Sequence, residues 1–432
     1  MRVLVITHSY RPANDPRAFR WGAICEYWAE RGITVDVVCS VPGADSPQFE
    51  QLNKVNIYRV SDPSQRFRSN VDDRNDQKNR GSLSRFGKMK KFIHLMLKKI
   101  IVMVRWPDHA WLWIPKAYRQ TAHLIETHRY DGIFSVAVPF SSHIVAMLLG
   151  RKRRDIKWVC DYGDPFSFLK ELPMNNTRLY KKVNKLIEGK LINASQKISV
   201  TTLETLKEYV SYLDVPRTWL HVIPPVVGNN YIEGSIYDTN ECSVDRESIN
   251  LIFAGTLYAK IRNPRYLLEL VSRLRNKLAP RQLKIHFYGR IGDCEEEFAL
   301  YKGAMNEWIF LHGIVNKDDM INVYKNADML VNIGNKTSYQ VPSKVIEYMS
   351  TGLPILNIAS VEKDSSVEVL GGYPAAFSLF QNAGISETIL YEVCRFINNS
   401  RQVDKSTVNK IMAQYQLPEV ANAYIDLFSR GS

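Results

Sequence analysis

Twice along this chain a short, fully apolar, β-branched run is followed by a polar loop, a helix-patterned stretch and another apolar run, and this alternation restricts the fold more than any other feature. Val3 to Ile6 opens the first series, an amphipathic stretch from Pro16 to Arg31 follows, Gly32 closes it, and Val35 to Val38 is the next apolar run. Strand, helix and strand in that order require parallel pairing, because the chain must cross back before it can pair again. Gly132 to Val138, Lys157 to Cys160 and Lys197 to Thr202 read as further buried strands. A second series begins at Leu251 to Ala254. It continues with a helix over Pro264 to Leu278, strands at Leu283 to Tyr288 and Met329 to Ile333, a helix over Pro342 to Ser350 and a strand at Pro354 to Ile358. The predicted class is α/β, with two Rossmann-like, doubly wound domains facing across a cleft that takes the ligand at the carboxyl ends of the strands.

Length agrees with two domains. A chain of 432 residues exceeds the roughly 250 to 300 residues at which single cores stop growing. The boundaries read as 1–225 for the first domain, with a basic insert at about 64–115, 226–250 for a linker that is polar and without period, 251–415 for the second domain, and 416–432 for a terminal helix packing back toward the first domain. With 45% hydrophobic and 23% charged residues, both domains have the composition of ordinary globular proteins. The opening MRVLVITHSY reads as a buried strand, not a signal peptide, and no apolar run approaches the ~18 residues that span a bilayer. Six scattered cysteines show no paired spacing, so the expectation is reduced thiols in a cytoplasmic protein without a metal site.

The net charge of +13 points to an anionic partner. Between Ser64 and Arg105 twelve Lys and Arg face three Asp, and Phe86, Met89, Ile93, Met96, Leu97, Ile100 and Val104 recur at helical spacing. Trp106, Trp111 and Trp113 follow. Two readings stay open: an interfacial anchor from about Arg85 to Trp113 on an anionic membrane, peripheral to the inner face of the cell membrane, or a helix packed on the domain core. Nucleic acid is not expected, since no recognisable binding module accompanies the charge.

The most informative segment is VPSKVIEYMSTGLPIL, residues 341 to 356. Pro342 suits a first helical turn and Gly352 with Pro354 a stop, which puts Ser343 and Lys344 at a helix N-terminus, where free N–H groups and the dipole attract phosphate. Glu347, one turn deeper, is placed to accept from ribose hydroxyls; an ordinary capped surface helix is the alternative. After the first strand of the second series, Gly255 and Thr256 lead to Lys260 and Arg262. Gly289 and Arg290 follow a strand, and Gly313, Ile314 and Val315 could meet a base edge with backbone groups. In the first domain Asp164 lies in CDYGDP, His143 follows PFSS, and Ser9, Tyr10 and Arg17 follow the first strand; all are candidates for the acceptor side. A dehydrogenase is disfavoured because that strand runs into HSYRP and not a glycine fingerprint.

Taken in this order and spacing, these segments resemble family-4 glycosyltransferases, especially those that build bacterial surface polysaccharides; RVLVITHSYRP and PSKVIEYMSTGLPIL carry the resemblance. The resemblance implies the two-domain GT-B fold, retention of anomeric configuration, no cofactor and no catalytic metal. It also implies a UDP- or GDP-linked sugar as donor and a lipid-linked or saccharide acceptor. Lys260 or Arg262 would neutralise the diphosphate, Ser343 and Lys344 would hold its oxygens, Glu347 would bind the ribose, and Asp164 would stand near the acceptor hydroxyl. Members often carry a glutamate eight positions before Glu347, which is Tyr339 here, and an arginine where Thr256 stands. A non-enzymatic membrane scaffold derived from a transferase and a sugar-nucleotide epimerase are the competing functions.

Overall fold

The computed structural model describes residues 1–13, 15–43, 46–67, 96, 100–150, 156–169, 173–195, 197–227, 247–316, 319–337 and 343–429, with the backbone alone of Arg66, Phe67, Ser343 and Ser429. Tyr339, the 228–246 part of the expected linker, and 68–95 and 97–99 of the insert expected at about 64–115 lie outside them. The described chain forms two compact units. One comprises Met1–Val200, Leu206–Ile223 and Ala421–Ser432, the other Thr201–Thr205 and Pro224–Val420.

The first unit is built on an eight-stranded sheet of β1 (Arg2–Thr7), β2 (Thr34–Ser40), β3 (Phe49–Leu52), β4 (Val55–Val60), β5 (Gly132–Ala137), β6 (Lys157–Tyr162), β7 (Ile198–Val200) and β8 (Leu220–Val222), in the order β3-β4-β2-β1-β5-β6-β7-β8. All pairs are parallel except β3 with β4. Val3, Leu4, Val5 and Ile6 are fully buried, which explains why the middle of β1 is apolar at four consecutive positions: a parallel strand covered by helices on both faces has no wet side. The helix Pro16–Glu30 starts where the Asp15 side chain accepts from the Arg17 and Ala18 amides and ends just before Gly32, whose φ of +83° releases the chain into β2. From β1 the chain builds outward to β4 and then returns to β1's other side with β5, so the sheet reverses direction between β1 and β5.

The second unit carries β9 (Ser248–Ala254), β10 (Gln282–Tyr288), β11 (Ile309–Gly313), β12 (Met329–Ile333), β13 (Ile355–Ala359) and β14 (Ala376–Phe380), all parallel, in the order β11-β10-β9-β12-β13-β14. Its reversal falls between β9 and β12. One apolar layer, around Leu251, Phe253, Leu270, Leu274 and Ile285, packs on one face, and a second, around Ile252, Leu330, Tyr348 and Met349, on the other.

The tryptophans after the insert correct one expectation. Trp113 is fully buried, and Trp106 packs against the first core while its indole Nε1 donates to Asn184 Oδ1 at 2.9 Å. Asp108 between them is also buried and caps the helix Ser141–Gly150, accepting from the Ser141 amide and hydroxyl at 2.8 and 2.7 Å. Residues 106–113 therefore fasten the first core, and Trp106 and Trp113 are not available to a membrane.

Candidate active site

In an open parallel sheet the loops on either side of a direction reversal splay apart and leave a crevice at the carboxyl ends of the strands. Four neighbouring strands of the second unit reach that crevice, and each ends on glycine: Gly255 after β9, Gly289 after β10, Gly313 closing β11 and Gly334 after β12. Gly289 has φ of +122°, and a Cβ built on it would lie 2.2 Å from the Gly255 carbonyl oxygen, so only glycine lets the two strand ends touch. The Gly255 amide donates to the Tyr288 carbonyl at 2.8 Å and the Leu257 amide to the Arg290 carbonyl at 2.9 Å. Small residues here bring bare backbone to the crevice, where a ligand can approach closely.

Charged groups join this backbone. Arg262 reaches across the reversal, donating through Nη1 to the Thr256 carbonyl at 3.2 Å and through Nη2 to Asn335 Oδ1 at 2.9 Å. Burial pushes its guanidinium below the ordinary arginine range, and its Nε has no hydrogen-bond partner among the described residues. Arg262 thus ties the β9 end to the β12 end, while Lys260 and Arg290 are exposed at the rim. The helix Ser343–Ser350 brings Lys344 and Glu347 together: the ammonium donates to Glu347 Oε1 at 2.6 Å. The hydroxyl of Tyr324, a fully buried residue on the helix Met320–Lys325, donates to that same oxygen at 2.6 Å. Gly313 has φ of +71° and its carbonyl accepts from the Gly289 amide at 2.6 Å; the next side chain, Ile314, is 68% exposed, an apolar surface at the strand end.

In the first unit the reversal between β1 and β5 is occupied by Arg17 and Asp164. Arg17 Nη2 lies 2.7 Å from Asp164 Oδ2 and its Nε donates to the Ala137 carbonyl at 3.1 Å, with both charged side chains about a quarter exposed. Ser9 is turned to Asp15 through its hydroxyl, and Tyr10 is buried. His143 is enclosed: its Nδ1 is 2.7 Å from Ser135 Oγ, and burial drives its pKa down to about 3. It packs between Phe140 and Tyr162 as a neutral core residue and cannot present itself to an acceptor. The structure also brings forward a pair that sequence reasoning passed over. His8, directly after β1, has its Nε2 2.8 Å from Asp62 Oδ2; although burial pushes the Asp62 carboxyl up, bonds from His8 and Ser64 hold it below its usual range. The position of His8 at a strand's carboxyl end was readable, but its partner comes from 54 residues away. The loop after β1 also borders a concavity of about 660 Å³ with Arg11, Phe19, Glu50 and Arg59 in its wall.

Among the described residues no cluster of three or more His, Cys, Asp or Glu could hold a metal ion. Residues 21–228 match the family described as "Glycosyltransferase Family 4", and residues 248–370 match "Glycosyl transferases group 1". The chain is a family-4 glycosyltransferase. Solved structures resemble it from end to end. They include sucrose-phosphate synthase from Thermosynechococcus elongatus (12% identity, TM-score 0.67, all of both chains) and Anabaena Alr3699/HepE in complex with UDP-glucose (12%, 0.61, 99% of each). A third is the lipopolysaccharide outer core galactosyltransferase WaaB (10%, 0.61, all of both chains). At such identity the likeness establishes the fold, which is GT-B. No curated protein matches the chain.

Proposed function

We propose that the chain transfers a hexose from a UDP- or GDP-linked donor to a lipid-linked saccharide acceptor, with retention at the anomeric carbon, in the assembly of a surface polysaccharide of the lipopolysaccharide type. The observation that carries this reading is the second unit's crevice: four glycine-ended strands around a Lys344–Glu347 pair. The fold shared with the lipopolysaccharide outer core galactosyltransferase WaaB and with HepE in complex with UDP-glucose lends it support. The enzyme works as a peripheral protein on the cytoplasmic side of the membrane and relies on its own cations rather than on a metal.

Each group then has a task. The diphosphate lies over the strand-end glycines and the N-terminus of the helix Ser343–Ser350, and Lys344 leaves Glu347 to meet it. The charge-assisted bond from Lys344 to Glu347 is replaced by one to phosphate, and the Tyr324 hydroxyl still donates to the carboxylate. Glu347, released, accepts from the ribose diol, and Ile314 lies under the base. As the glycosidic bond breaks, negative charge grows on the departing diphosphate, where Lys344, Lys260 and the helix dipole stabilise it. A diphosphate oxygen takes the acceptor's proton, so the protein supplies no strong base; the Arg17–Asp164 pair orients the acceptor hydroxyl.

The test is a calorimetric and thermal-shift panel of UDP, GDP, ADP and NAD against the wild type and Glu347→Ala. Selective binding of UDP or GDP, weakened roughly tenfold or more in the variant, is the expected result. Binding of none of the four would overturn the transferase reading and leave the scaffold.

A further inference from the structure

Sixteen large apolar side chains are exposed among the described residues, and seven of them belong to two adjoining stretches of the first unit. Leu179, Val183 and Leu186 on the helix Thr177–Ser195 are 43 to 56% exposed, and Met96, Ile100, Met103 and Val104 are 44 to 51% exposed. The stretches are joined where the Tyr180 hydroxyl donates to the Val104 carbonyl at 2.5 Å and Trp106 bonds Asn184. On the helix the three residues are spaced i, i+4, i+7, so they form one outward stripe, while Asn184, Glu188, Leu191 and Ile192 face the core.

The charge around this stripe has one sign. Arg178, Lys181, Lys182, Lys185 and Lys190 are exposed on the same helix, and its single acid, Glu188, is turned inward, accepting from the Ser167 amide at 2.9 Å and the Tyr209 hydroxyl at 3.0 Å. Residues 96–107 contain no acid at all. An apolar stripe edged by long cationic stems, with no exposed carboxylate, suits a surface that is apolar below and anionic above: the side chains enter the acyl boundary and the stems reach back to the headgroups. A second copy of the chain would set lysines against lysines.

We propose that the helix Thr177–Ser195, with the exposed side chains of Met96, Ile100, Met103 and Val104, docks the enzyme on an anionic lipid bilayer. The proposal rests on the peripheral-membrane part of the function above but not on the donor chemistry, whose residues belong to the other unit.

The test is flotation of the full chain with phosphatidylcholine vesicles with and without phosphatidylglycerol. The wild type floats only with the anionic vesicles and is released by salt. Two triple variants, Leu179→Ser/Val183→Ser/Leu186→Ser and Arg178→Glu/Lys182→Glu/Lys190→Glu, each lose roughly a hundredfold in vesicle affinity while melting temperature and UDP or GDP binding stay as in the wild type. Wild-type protein that floats with neither vesicle, or variants that float as well as the wild type, would overturn the proposal. So would a wild-type dimer that the serine variant turns into monomer, since the stripe would then be covered by a second copy. Lost nucleotide binding with flotation intact counts against the transferase reading alone.

Discussion

The two donors to Glu347, the Tyr324 hydroxyl and the Lys344 ammonium, both point at Oε1, and Oε2 has no hydrogen bond among the described residues. A carboxylate anchored at one oxygen is fixed in rotation while the other oxygen stays open to a ligand. If Lys344 turns to phosphate when the donor binds, Tyr324 alone keeps Glu347 in place, so Tyr324 is a positioning residue for the ribose. Tyr324→Phe is expected to weaken nucleoside diphosphate binding about tenfold, the worth of one hydrogen bond to a charged group. It should also abolish the preference for the ribonucleotide over its 2′,3′-dideoxy form. Calorimetry with both nucleotides checks this, and unchanged discrimination in a weakened variant would reduce Tyr324 to a packing role. The sequence alone pointed to Glu347 and Lys344, because a proline, a serine and a stop signal bracket their helix. It did not point to Tyr324, since a tyrosine at helical spacing in an apolar stretch looks like core until its hydroxyl is seen beside a carboxylate from 23 residues further on.

At the level of elements, glycine decides how closely strand ends can meet. Gly289 and Gly313 both have positive φ, but a Cβ on Gly313 has nothing within 4 Å whereas one on Gly289 strikes the Gly255 backbone. Gly313→Ala should therefore cost only the conformational term of about 1 kcal/mol, and Gly289→Ala a further amount of about 2–3 kcal/mol, because backbone on the facing strand end cannot yield as a flexible side chain can. Urea denaturation of the two variants measures the difference, and equal costs would mean that the contact relaxes without strain. The central parallel strands were legible where burial on both faces leaves an apolar run, as at Val3 to Ile6 and Leu251 to Ala254, whereas the half-exposed β11 and β14 carry no such run. The antiparallel β3–β4 hairpin was not: its two-residue turn uses Asn53 and Lys54, both at positive φ, where the usual signal is Asn-Gly. Its strands are also short, and they alternate only exposed with half-buried positions in β3 and buried with half-buried ones in β4. The helix Thr177–Ser195 escaped notice for the opposite reason, since lysines are interleaved with its apolar residues and blur the period.

For the molecule as a whole, the last dozen residues belong to the first unit, far in sequence from the core they complete. Asp161, at the buried end of β6, accepts from Trp21 Nε1 at 2.9 Å, the Ser199 hydroxyl at 2.7 Å and the Tyr424 hydroxyl at 2.6 Å. Tyr424 and Phe428 also pack at tilted angles against Trp21 and Phe134, and Phe428 lies so close to Gly132 that a Cβ there would overlap its ring. Tyr424→Phe removes one donor from a buried carboxylate and should cost about 1–3 kcal/mol. Phe428→Ala should cost about 3–5 kcal/mol as a lost core aromatic. Deleting residues 421–432 removes both at once and bares Trp21, Trp28 and Phe134, a loss comparable to the whole stability of an ordinary domain, about 5–15 kcal/mol. The truncated chain is expected to lose the fold of its first unit while keeping the second. Seven of the eight tryptophans report on the first unit and only Trp308 on the second, so fluorescence should shift to the unfolded position for most of the signal while urea still produces a residual transition from the second unit. A truncated protein with native emission would mean that this helix only covers a core already closed without it.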